Sequence, residues 1–148
     1  MPERVTAKMR QAVAERANGY CEFCACLDCF SPQPFSVDHI FPKIKGGKTV
    51  LKNLALICQG CNNHKYDKVE WLDVELKQGS PLYHPRQQVW AEHFTWSPDW
   101  QEIVGLTSTG RATIAALQLN RERVVNLRRV LLVTGDHPPS IDRSPSQF

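Results

Sequence analysis

Val37-Asp38-His39-Ile40-Phe41-Pro42 sets a carboxylate beside an imidazole, between apolar residues and a chain-stopping proline. Taken alone, such a pair reads as a turn cap next to a core histidine. Its neighbours change the reading. Cys21-x-x-Cys24 precedes it, Cys58-x-x-Cys61 follows it, and Asn62 comes directly after the last cysteine. Paired knuckles around an Asp-His describe a metal-stapled unit that presents reactive side chains. Two Cys-x-x-Cys turns supply the four thiolates of a tetrahedral zinc site. Cys26-x-x-Cys29 overlaps the first knuckle. Cys21 and Cys24 are preferred as ligands because Tyr-Cys-Glu-Phe-Cys follows directly on a helix stop at Asn18-Gly19. Cys26 and Cys29 are then spare thiols or ligands of a second metal. Thiol redox chemistry at this pair would need a strand-to-helix setting that the segment lacks.

The 148 residues suffice for one domain with a modest core, and 42% hydrophobic with 22% charged content indicates a soluble globular class. No apolar run approaches the roughly 20 residues of a membrane span. The charged N-terminus lacks a signal-peptide core, so a cytoplasmic protein is expected, with cysteines that bind metal rather than form disulfides. The net charge of +3 is unevenly spread: residues 67–100 sum to −3, and the other segments are basic. Lys43, Lys45, Lys48, Lys52 and Lys65 crowd the Asp-His region. A basic rim suits a polyanionic substrate, although a solvated lysine-rich loop has the same composition.

Residues 4–18 read as a helix with Val5, Met9, Ala12 and Val13 on one face. Phe35–Phe41 reads as a short strand ended by Pro42, and Gly46-Gly47 as a turn. Asn53–Ile57 is an apolar segment running into the second knuckle, where Gly60 marks a tight turn. A helix follows, capped by Asn62 or Asn63. Asp67–Lys77 reads as an acidic amphipathic helix through Val69, Leu72 and Leu76, broken at Gly79-Ser80-Pro81. A short helix is predicted over Pro85–Phe94, a strand over Gln101–Leu106, and helices over Ser108–Leu119 and Asn120–Val133, the last capped by Asn120. Trp71, Trp90, Trp96 and Trp100 are a candidate aromatic cluster. Arg121, Arg123, Arg128 and Arg129 lie on the last helix. Residues 135–148 read as a flexible tail. The expected organisation is one domain over 1–134: a core at about 20–68 and a helical extension over 69–134.

Cys21-Glu-Phe-Cys24, Val37-Asp38-His39-Ile40-x-Pro42, Gly46-Gly47, Asn53-Leu54 and Cys58-x-x-Cys61-Asn62-x-x-Lys65 together resemble the HNH endonucleases, in their zinc-stapled branch. Residues 94–130 more loosely resemble the C-terminal extension of some stand-alone bacterial and phage members. The resemblance implies an α+β fold with a ββα-metal core, a structural zinc on Cys21, Cys24, Cys58 and Cys61, and metal-dependent cleavage of DNA. By position, His39 matches the general base, Asn53 the orienting residue and Asp38 an acidic ligand of a catalytic Mg²⁺ or Mn²⁺. Asn62 stands where the third letter is usually His, which makes an HNN variant with a weaker ligand oxygen. The implied products carry 5′-phosphate and 3′-hydroxyl ends, the metal stabilising the leaving 3′ oxygen.

These residue types suit the reaction. Phosphodiester hydrolysis needs an activated water and relief of phosphate charge. An imidazole with an ordinary pKa of about 6.5 is mostly neutral yet basic at cellular pH. Two oxygen ligands suit a cation that keeps its waters and binds tightly only with substrate. Lys43, Lys45, Lys48, Lys65, Arg128 and Arg129 are candidate phosphate contacts. No separate specificity domain is visible, so selectivity is expected to be low or supplied by a protein partner. The competing reading is a non-catalytic zinc-stabilised module that binds nucleic acid or protein.

Overall fold

The structure, a computed structural model, describes residues 4–139. Thr6 accepts a hydrogen bond from the Met9 amide (3.1 Å) and opens helix α1 (Ala7–Arg16). Val13 and Ala17 bury the inner face of this segment. Arg16 closes it by donating to the carbonyls of Leu51 and Leu54, which pins α1 to the approach of the second strand.

Strands β1 (Ser36–His39) and β2 (Leu54–Ile57) pair antiparallel, with Asp38 opposite Ala55 and His39 opposite Leu54. All four residues of β2 are buried, which explains why it reads as an unbroken apolar run. Between the strands lies the lysine-rich loop. Gly47 is obligatory there, because a Cβ would overlap the Phe41 carbonyl. Helix α2 (Gln59–Lys65) follows β2 directly. Its cap is Cys58, whose sulfur faces the Cys61 amide at 3.4 Å, so Asn62 lies inside the helix rather than capping it. The mixed α/β architecture, with β1, β2 and α2 beside a cysteine cluster, is the ββα-metal core.

Beyond Lys65 the expected acidic helix does not form. Glu70–Asp73 is strand β3, paired in a hairpin with β4 (Gln78–Pro81). Val69, Leu72 and Leu76 mimic helical spacing, yet Leu72 and Leu76 are exposed. What decides the conformation is Asp73, fully buried against Arg111 through two bonds of 3.0 Å. The rest is a short helix α3 (Trp90–His93), a hairpin of β5 (Phe94–Trp96) and β6 (Ile103–Gly105), and helices α4 (Ser108–Leu117) and α5 (Glu122–Thr134). The predicted 85–94 helix thus shrinks to one turn. Asn120 does not cap α5; its amide bonds both the N–H and the C=O of Ile103 (2.7 and 2.8 Å), extending the β6 ladder. Trp90 and Trp96 pack at 5.4 Å, whereas Trp71 and Trp100 are exposed and, among the described residues, join no aromatic cluster. The first residues of the predicted tail are packed: Tyr20 donates to the Asp136 carbonyl, and His137 is buried with Nε2 at the Trp100 carbonyl and its ring against Trp96. Residues 140–148 lie outside the described residues.

The Arg111 guanidinium holds the Asp73 carboxyl below the usual aspartate range. A depressed carboxylate stabilises the fold above about pH 4, and that contribution is lost as pH falls through the lower folded value. Asp73→Asn should therefore melt lower than wild type at neutral pH, and the gap should close in acid. Parallel melts across pH check this; a constant gap would contradict it.

Candidate active site and metal centre

The two knuckles meet behind the β1–β2 pair. The sulfurs of Cys21, Cys24, Cys58 and Cys61 all lie within 4.8 Å of one another and are buried, and Cys24 and Cys58 are 3.6 Å apart. A tetrahedral zinc with bonds of about 2.3 Å separates its sulfurs by about 3.8 Å. The cluster therefore fits a four-thiolate zinc. Hydrogen bonds among the thiols pull Cys24 and Cys58 toward the thiolate form, while burial pushes Cys21 and Cys61 the other way. A dication resolves that conflict by favouring all four thiolates. Cys26 is buried with its sulfur 3.3 Å from that of Cys24, whereas Cys29 is exposed.

Two arginines of the C-terminal extension reach this centre. Arg121 sets its guanidinium 3.4 Å from the Cys58 sulfur and 3.5 Å from that of Cys61. Burial opposes its charge, but the sulfurs outweigh burial and keep it firmly protonated. Gly60 sits in the first turn of α2 rather than in a left-handed turn, and a Cβ there would displace the tip of the Arg121 side chain. Arg128 is fully buried and donates to the carbonyls of Cys24, Leu119 and Gln101. It is a structural clamp and not the phosphate contact expected from sequence. Arg129 bonds the side chains of Gln101 and Asn126 at the surface. An outer partner of metal ligands commonly changes affinity 10–100-fold. Arg121→Ala should accordingly hand zinc to a competing chromogenic chelator about tenfold more readily. Unchanged zinc transfer would mean the guanidinium contributes nothing to the centre.

The zinc ligands position the second site. Cys61 and Asn62 are consecutive in α2, and β1 ends at His39, so its neighbour Asp38 need not point away from the same space. Asp38, His39 and Asn62 line one open cleft of about 320 Å³ with Pro42, Lys43, Ile44 and Tyr66. His39 Nε2 lies 2.9 Å from the hydroxyl of Thr49, a buried loop residue that sequence reasoning missed. Asn53 brackets the loop: its amide accepts from the Phe41 N–H (2.9 Å) and donates to the carbonyls of Phe41 and Lys48 (3.1 and 2.9 Å).

Asp38 is buried, and burial pushes its carboxyl above the usual range against the opposing Lys65 ammonium. The Lys65 Nζ lies 2.9 Å from Asp38 Oδ2 and donates to the Ile40 carbonyl. With 1% of its surface exposed, Lys65 cannot be the DNA contact predicted for it. Lys43, Lys45 and Lys48 are exposed; Lys43 lines the cleft, and Lys48 lines a neighbouring pocket with Phe41, Gly46, Gly47 and Asn53. One carboxylate and one amide oxygen are hard donors that suit Mg²⁺ or Mn²⁺. Lys65 already neutralises the carboxylate, so such a cation competes with an ammonium.

These features meet in one segment. Residues 21–68 match the HNH endonuclease family. The HNH match ends before β3, so the hairpins and helices α3 to α5 lie outside it. Comparison with curated proteins and with solved structures gave no match. Among the described residues, no helix is long and apolar enough to cross a membrane.

Proposed function

We propose that the chain is a metal-dependent DNA endonuclease that hydrolyses phosphodiester bonds. The observation that carries this reading is that Asp38, His39 and Asn62 line a single open cleft. His39, oriented at Nε2 by the Thr49 hydroxyl, acts as the general base that takes the proton of the attacking water. Thr49 and the Asn53-bracketed loop hold the ring at one angle to the scissile phosphate. Lys43, Lys45 and Lys48 steer the DNA backbone to the cleft. Asp38 and Asn62 would hold the divalent cation, which supplies charge relief at the leaving 3′ oxygen. The two-donor set and the Lys65 pair make cation binding weak until phosphate oxygens join.

The test uses duplex DNA labelled in turn at each end, incubated with the zinc-loaded chain and Mg²⁺ or Mn²⁺. Products with 5′-phosphate and 3′-hydroxyl ends, absent in EDTA, are expected. The second reading, a non-catalytic zinc module that binds nucleic acid, is favoured by the Lys65–Asp38 ion pair at the cation position. Salt-sensitive DNA binding without cleavage, over varied substrates, would establish that reading instead.

A further inference from the structure

The residue that ends α2 is Tyr66, at φ 49° and ψ −114°. Glycine adopts this backbone without steric cost, whereas a Cβ makes it strained. The turn itself is compulsory. The Tyr66 N–H bonds the Asn62 carbonyl, and the Lys68 N–H bonds the Lys65 carbonyl, both at 2.9 Å, so the chain leaves α2 one turn after the cleft residue Asn62. A tyrosine in a glycine-type turn would be justified by packing if its ring were buried. The ring is instead 76% exposed, and it lines the cleft with Asp38, His39 and Asn62. Ile44, 82% exposed between Lys43 and Lys45, lines the same cleft. Strain is thus accepted to hold an aromatic face in solvent beside the reactive groups, in a cleft whose lining mixes Val37, Pro42 and Ile44 with Lys43 and Asp67.

We infer that Tyr66 is a stacking platform for a nucleobase of the substrate strand beside the scissile phosphate. This rests on the nuclease reading and adds what that reading lacks, a contact to the base. Every base offers a π-face, so such a platform is tolerant of sequence, and it favours DNA whose bases are locally unstacked or single-stranded. The phosphate is met by the lysines and the base by the ring, so the two contacts separate experimentally. The phenolic hydroxyl is not needed for stacking, which distinguishes this role from a phosphate hydrogen bond.

Two variants test it on the full, zinc-loaded chain. Tyr66→Gly removes the ring and relieves the turn; Tyr66→Phe keeps the ring and loses the hydroxyl. Each is compared with wild type by melting, by affinity for single-stranded and duplex oligonucleotides in Ca²⁺, and by fluorescence of 2-aminopurine placed along the strand. Tyr66→Gly should melt no lower than wild type, bind single strands about tenfold more weakly and no longer quench the base analogue. Tyr66→Phe should match wild type in all three. Wild-type affinity and quenching in Tyr66→Gly would overturn the inference. So would a loss in Tyr66→Phe equal to that in Tyr66→Gly, or a lower melting point in Tyr66→Gly, which would make the ring structural. If wild type nicks plasmid and Tyr66→Gly nicks it equally well, the platform falls and the nuclease reading stands. If wild type binds no DNA, both fall.

Discussion

Removing zinc is expected to unfold the segment that carries the cleft and to release the extension from it. Residues 20–66 hold two four-residue strands, one short helix and three single-turn 3-10 segments, too little regular structure and apolar surface for a unit of this size to fold unaided. Four buried sulfurs lie at its centre, and without a cation they carry conflicting protonation demands. Structural zinc contributes about 10–16 kcal/mol of binding free energy, most of it expressed as folding. The damage should spread further, because Arg121 reaches the knuckle sulfurs and Arg128 caps the Cys24 carbonyl while packing over Trp96 at 5.3 Å. Chelation, or Cys58→Ser, should therefore abolish the near-UV signal of the tryptophans and lower the melting point by about 10 °C or more. Mg²⁺ depletion should change neither. An unchanged melting curve after complete zinc removal would contradict the structural role of the cluster.

His39→Ala should reduce DNA cleavage about 10²–10⁴-fold, the usual contribution of a positioned general base. The fold should survive. The ring is only half-buried, and the hydrogen bond to Thr49 that it gives up is worth about 1 kcal/mol. DNA affinity should stay near wild type, because the lysine rim is untouched. Thr49→Val should be milder, since it frees the ring's orientation without removing the base. Cleavage by His39→Ala at the wild-type rate would remove the imidazole from the reaction.

The core was legible because its determinants are local. Knuckle ligands three residues apart, a proline after the strand and glycines in the loop force the same path in any context. Helices α1, α4 and α5 were legible for a similar reason. Residues 67–81 were not, because Asp73 finds its partner 38 residues away and that pair overrides a helical apolar spacing. Arg121 and Arg128 looked like an exposed cationic face. Their partners, Cys61 and Cys24, lie 60 and 104 residues distant, which no helical wheel can reveal. In the cleft, Asp38, His39 and Asn62 were visible in the motif. Thr49 carried no signal, being a threonine in a lysine-rich loop. Lys65 reads as a phosphate contact because nothing in the sequence indicates that α2 turns it inward onto Asp38.

The measurement that joins both metal-dependent links is nicking of supercoiled plasmid in constant Mg²⁺ while zinc is titrated into the metal-free chain. Nicking should rise in proportion to zinc and saturate at one equivalent per chain, in step with recovery of the tryptophan near-UV signal. A zinc-saturated, folded chain that leaves plasmid intact, or a zinc-free chain that nicks it equally fast, would contradict the account.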